Sequence, residues 1–216
     1  MIKIDAPLEG ENQRYLAPAE NLPARCIQVI DCGTHEEEWS GEKSDKRKIR
    51  ITWELVTEAL LNGEGEEIRP LISNEYTASL DPKANLRKAL EGWRGVPFKD
   101  TDLKDFDVST LLGKPCMLQV IHKVSAAGNT YAKINTIAKV PKGMDVAEAV
   151  RPTLEYSLTD GATEVYDSLP QWLQDYISGA PEFGSKKNGA PKSSTASPEA
   201  TTTPSPEEQV VEEMPF

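Results

Sequence analysis

The sequence predicts a mainly β body, a five-stranded barrel with one or two helices, followed by an acidic C-terminal tail that does not fold. Three observations carry this expectation. Before residue 143, apolar and polar side chains alternate in several short runs, the period-two signature of half-buried strands. After Asp81-Pro82 the spacing becomes helical for one segment. Between residues 184 and 206 no large apolar side chain occurs, and such a stretch cannot offset the entropy of its own ordering.

Taken in order, residues 1–22 are polar, contain Pro7 and Pro18, and form an extended lead-in. From Pro23, the residues Ala24, Cys26, Gln28 and Ile30 alternate with Arg25, Ile27, Val29 and Asp31. This reads as a first strand ended by Gly33, with Cys26 and Cys32 on the same side. A loop of mixed charge from Thr34 to Asp45 holds Trp39. Lys48, Arg50, Thr52 and Glu54 then alternate with Ile49, Ile51, Trp53 and Leu55, a second strand with one apolar face. Asn62-Gly63-Glu64-Gly65 marks a turn, and Glu67 to Leu80 is a third extended run.

Asp81 can cap a helix whose first position is Pro82, with Leu86, Ala89, Leu90 and Trp93 at helical spacing. Gly92 and Gly95 end it. An acidic connection, 96–113, includes a short helical turn at Val108–Leu112. Cys116, Leu118 and Val120 alternate with Met117, Gln119 and Ile121 in a fourth strand. Ala126-Ala127-Gly128-Asn129 turns the chain, and a fifth strand around Tyr131, Lys133 and Asn135 stops at Pro141. Three strands, a helix and two strands is the element order of an OB-fold barrel. A small open antiparallel sheet with a packed helix is the alternative. The body therefore spans residues 23–143.

An accessory segment, 144–180, carries a short helix from Pro170 with Trp172, Leu173, Tyr176 and Ile177 on one side. It is too short to stand alone and must dock or bind. Residues 181–209 read as a disordered linker. Residues 210–216 form a tip in which Glu212 and Glu213 precede Met214, Pro215 and Phe216. An aromatic at the end of a solvated tether is placed to enter another protein's pocket rather than its own core.

The net charge is −11, but residues 144–216 hold 13 of the 35 acidic side chains and 4 of the 24 basic ones. The body is therefore close to neutral and can carry a basic face. Three cysteines without a Cys-x-x-Cys pair suit a reduced, cytoplasmic protein. The N-terminus lacks the apolar run of a signal peptide, and no stretch is long enough for a membrane span.

No phosphate-binding loop, nucleophile elbow or metal-ligand spacing occurs. The acidic runs read as solvated faces, so the expectation is no catalysis, no cofactor and no metal. Sequence-tolerant binding of single strands needs cations for phosphates and aromatic faces for bases. Trp39, Lys46, Lys48, Arg50, Tyr76, Arg94, Lys123, Tyr131 and Lys133 are the candidates. Most would converge on the second and third strands and on the loops joining strands one–two and four–five. Trp53 and Trp93 read as core.

Tyr15-Leu-Ala-Pro-Ala-Glu, Lys48-Ile-Arg-Ile-Thr-Trp-Glu-Leu, Gly92-Trp-Arg-Gly-Val-Pro-Phe, Leu112-Gly-Lys-Pro-Cys-Met-Leu and Pro141-Lys-Gly resemble segments of phage single-stranded-DNA-binding replication proteins, across about residues 13–180. The tip is similar to the C-terminal tail of bacterial and phage single-stranded-DNA-binding proteins, although it has two glutamates where the bacterial pattern has a longer aspartate run. The resemblance implies a protein that coats single-stranded DNA during phage replication or recombination in the host-cell cytoplasm. It also implies that Glu212, Glu213, Met214, Pro215 and Phe216 recruit replication or repair proteins. The oligomeric state stays open. The alternative is a protein-interaction adaptor whose barrel binds protein or peptide.

Overall fold

A computed structural model describes residues 15–61, 67–104, 106–159 and 163–185. The turn expected at Asn62–Gly65 lies outside them, as do most of the expected lead-in, most of the linker and the whole tip.

β1 (Asn21–Trp39) and β2 (Glu42–Leu55) form one long hairpin. β3 (Leu60–Leu61) and β4 (Glu67–Ile68) form a minor one, and β5 (Leu71–Thr77) follows. Next come α1 (Asn85–Arg94) and a 3₁₀ turn at Val108–Leu111. A second long hairpin joins β6 (Pro115–Val124) to β7 (Thr130–Ala138). β8 (Leu154–Tyr156), α2 (Thr163–Ser168), α3 (Gln171–Ser178) and α4 (Pro181–Ser185) complete the described chain.

The main sheet runs β5-β2-β1-β6-β7 with antiparallel neighbours, and β8 adds in parallel along Gln28–Ile30 of β1. The first and fourth of the expected strands pair, with Ala24 opposite Cys116. The sheet is not closed. β5 and β7 approach each other, but among the described residues no backbone ladder joins them.

Its inner face carries the main core. Cys26, Val29, Ile51, Trp53, Leu118, Val120 and Ile134 meet Leu86, Leu90 and Trp93 of α1. The Trp53 and Trp93 rings lie 5.8 Å apart, and Trp93 Nε1 donates to the Pro115 carbonyl at 2.8 Å. Both tryptophans are core, as their sequence positions suggest.

Gly33 does not end the first strand. A bulge at Cys32 leaves Gly33 at φ 81°, and β1 continues to Trp39. Glycine in a strand marks a bulge as readily as a stop. The expected loop at Thr34–Asp45 is therefore a two-stranded ribbon in which His35 pairs with Lys46 and Trp39 with Glu42. Ser40 (φ 54°) and Gly41 (φ 84°) turn it in the two-residue geometry that hairpins favour. A second bulge at Ile27 changes the face on which later residues fall. Cys26 thus enters the main core, while Cys32 faces the other side of the sheet.

α1 begins at Asn85 rather than at Pro82. The Asp81 carboxylate instead accepts from Lys83 N at 2.9 Å, tightening the turn before the helix. Gly92 lies within α1, where an added Cβ would overlap the Ile137 carbonyl; this glycine lets α1 sit directly on β7. Gly95, left-handed at φ 72°, closes the helix.

The outer face of the sheet carries a second apolar cluster. Ile30 and Cys32 of β1 meet Tyr156, Leu158, Leu169, Leu173, Ile177 and Ala180. α3 thus docks on its own body, with Leu173 and Ile177 inward and Trp172 outward. No helix among the described residues is long and apolar enough to cross a membrane.

The three cysteines are free and buried. Burial pushes the Cys26 and Cys32 thiols up to about 12 and Cys116 well above its ordinary value. The Tyr76 hydroxyl also rises to about 12. Each group is neutral when protonated and ionises nearer its ordinary value, 9.0 or 10.0, once unfolded. Their contribution to stability is therefore present below about pH 9 and lost as pH rises toward 12. Thermal melting at constant ionic strength will show a midpoint that falls between pH 8.5 and 11. A flat midpoint across that window would contradict the buried placement of these groups.

Candidate nucleic-acid interface

The gap between β5 and β7 opens into a cleft of about 1080 Å³. Lys46 and Lys48 reach it from β2, and Asn74, Tyr76 and Thr77 from β5. Lys83 precedes α1, Lys88 projects from it, and Lys133 and Asn135 come from β7. Five lysines thus line one depression. The sheet creates this arrangement because its strand order leaves β5 and β7 as facing edges, while α1 closes the base of the gap through Gly92.

Three carboxylates, Glu37, Glu75 and Asp81, share the cleft. Glu37 pairs with Lys48. Glu75 accepts from the Tyr176 hydroxyl at 3.3 Å, and Asp81 is held by Lys83 N. Among the described residues no carboxylate pairs with Lys46, Lys83, Lys88 or Lys133. The local balance is positive in a chain that is acidic overall, which is the field an anionic strand would meet.

The β6–β7 hairpin extends this surface. Lys123 pairs with Tyr131 and Ile121 with Lys133, so these side chains share one face of the ribbon. Tyr131 is 45% exposed, and Lys123 and Lys133 are exposed. Lys133 belongs both to this face and to the cleft, making the two continuous. An accessible ring between two cations is what stacking with phosphate neutralisation requires.

The remaining candidates fall elsewhere. Tyr76 is only 7% exposed and joins the main core, so it forms the cleft's wall and offers no free ring face. Arg50 lies on the outer face of the sheet, its guanidinium 4.9 Å from the Trp172 ring centre. Burial lowers its pKa from the ordinary arginine value. Arg94 is buried, pairs with Asp102 at 3.0 Å and stacks on Phe98 at 4.5 Å. Trp39 closes the tip of the β1–β2 ribbon at the backbone level. Lys46, Lys48, Lys133, Lys123 and Tyr131 are therefore brought together, whereas Arg50 and Arg94 are held in other contacts.

Two further lysines line the cleft: Lys88, which the sequence places in the basic group Arg87, Lys88 and Arg94 in and after the helix, and Lys83, which no sequence feature points to. The position of Lys88, three residues after Asn85, places it on the helix flank facing β7.

A second hollow of about 540 Å³ lies between Val29, Ile49, Leu86, Phe106 and Tyr156. Its lining mixes these apolar side chains with the Asp31–Arg47 pair, Asp107 and Glu155. It gathers none of the sequence candidates. No protein-family model and no curated protein matches this chain.

Proposed function

We propose that this protein binds single-stranded DNA without regard to sequence, in phage replication or recombination, and has no catalytic role of its own. The body is read as an OB-type barrel, and the 3-2-1-4-5 order of the five principal strands, with a helix between the third and fourth, supports this reading. The observation that carries the functional reading is the lysine-lined cleft and its continuity with the Lys123–Tyr131–Lys133 face. A strand would lay its phosphates along Lys46, Lys88 and Lys133 and stack a base on Tyr131. Duplex DNA would be disfavoured because its bases are not free to stack.

The tip Glu212–Phe216 is proposed to recruit replication or repair proteins. Its support is the sequence pattern of acids followed by Met-Pro-Phe.

The test is fluorescence titration of a labelled oligothymidylate at two salt concentrations, with duplex DNA as competitor. Binding that weakens steeply with salt and resists duplex competition is expected. No binding at low salt would remove the proposal. Tyr131→Ala should cost about 1–3 kcal/mol of affinity, the range of one stacked base, with an unchanged circular-dichroism spectrum. Affinity equal to wild type would take Tyr131 out of the interface.

A further inference from the structure

Lys48 is the least exposed lysine of the cleft, at 6%, and its ammonium is already occupied. It is held by the Glu37 carboxylate and reaches the Thr77 hydroxyl at 3.4 Å. The two partners differ in exposure. The Lys48 side chain is enclosed, whereas the Glu37 side chain is about half exposed and projects from the ribbon beyond the sheet. Glu37 therefore has open solvent beside it, whereas Lys48 is surrounded by protein.

We infer that Glu37 occupies Lys48 as a built-in substitute for a strand phosphate, and that a bound strand displaces it. This rests on the proposed reading of the cleft and names its regulating contact. A carboxylate and a phosphodiester present the same chemistry to an ammonium: anionic oxygens that accept charge-assisted hydrogen bonds. In the free protein Glu37 satisfies a cation that would otherwise be buried without a counter-charge, which is costly. When a phosphate arrives, the ammonium keeps an anionic partner and Glu37 returns to water at the rim. The exchange lowers net affinity, because one ion pair must open for another to form. It also makes the deepest contact selective for a backbone flexible enough to enter the cleft.

The experiment is a double-mutant cycle on the full chain, with labelled oligothymidylate as probe. Glu37→Gln should tighten binding about fivefold, the scale of a partly exposed ion pair. Lys48→Met keeps the apolar stem and removes the cation. It should reduce the slope of log affinity against log salt by about 0.7, the share of one phosphate of a single strand. In the Lys48→Met background, Glu37→Gln should then give no gain.

A gain of equal size in both backgrounds would show that Glu37 acts by general repulsion and would overturn the inference while leaving DNA binding intact. An unchanged salt slope in Lys48→Met would overturn it independently, whatever the folding of the Glu37 variant. If wild type and all variants fail to bind, the functional reading itself falls, and this inference falls with it.

Discussion

Replacing Glu54 with alanine will cost about 3–5 kcal/mol of stability without touching the cleft. Glu54 is 0% exposed, on the strand face opposite Ile51 and Trp53. Its carboxylate accepts from Val150 N at 2.8 Å, Arg151 N at 3.2 Å and Arg151 Nη1 at 3.4 Å, and Arg69 lies at 3.5 Å. One side chain thus fastens the 150–151 backbone and two cations to the C-terminal end of β2. Removing it orphans two backbone N–H groups, each worth about 1–3 kcal/mol when left unmet, and opens a void. Thermal melting should show a midpoint lowered by about 10 °C, since each kcal/mol moves a chain of this size by about 2–4 °C. Glu54→Gln should fall between the two, because the amide keeps one acceptor but turns a donor toward the arginines. A loss below about 1 kcal/mol for alanine, the value typical of a single ordinary hydrogen bond, would mean that this clamp is not what holds the segment.

The matching clamp on β1 has the same form. Arg25 donates to the carbonyls of Gly113, Val146 and Ala147 and pairs with Glu148 at 3.0 Å. Neither clamp was legible in the sequence. Glu54 and Arg25 occupy polar positions of alternating strands, where a charge normally faces water. What covers them lies about a hundred residues away, in a stretch with no periodicity.

Where a segment has one wet face and one dry face, the sequence reads well. The second and fourth strands, the 126–129 turn and the Leu86/Leu90/Trp93 stripe all fall where alternation and helical spacing place them. Beyond His35 the β1–β2 ribbon is largely exposed on both faces, so most of its residues are polar or charged and give no alternation. Ser40-Gly41 was the remaining signal, a two-residue turn between segments that looked like loop. The bulges at Ile27 and Cys32 erased the parity argument for the cysteines, since each inserts one residue without changing composition.

The interface was legible only in part, for a related reason. Which cations are available depends on the acids opposite them. Arg94 is engaged by Asp102, eight residues on, and Lys48 by Glu37 across a hairpin that the sequence did not reveal. In the sequence Arg50 falls on the polar face of the second strand. That face is covered by α3, a consequence of docking rather than of the strand itself.

Docking of that segment yields the second large effect. Gly33→Val should release α3 and α4 from the sheet. At φ 81° a β-branched residue is strained by about 1–2 kcal/mol. A Cβ there would also overlap Ala180 and come within 2.8 Å of Leu158 Cδ1, and overpacking adds about 1–3 kcal/mol. The outer cluster is small, and it holds Cys32 together with Leu173 and Ile177. A penalty of this size should therefore open it before the main core. The readout follows from the opposite placement of the cysteines. In native buffer a thiol reagent should modify one cysteine of the variant, Cys32, while Cys26 and Cys116 stay protected behind the inner face. Trp172 emission should shift red as its contact with Arg50 is lost. Equal protection of all three thiols would mean that Gly33 is not the point where the segment is held. Simultaneous modification of all three would mean that the two clusters unfold as one, and that the accessory segment is as much a part of the body as the strands beneath it.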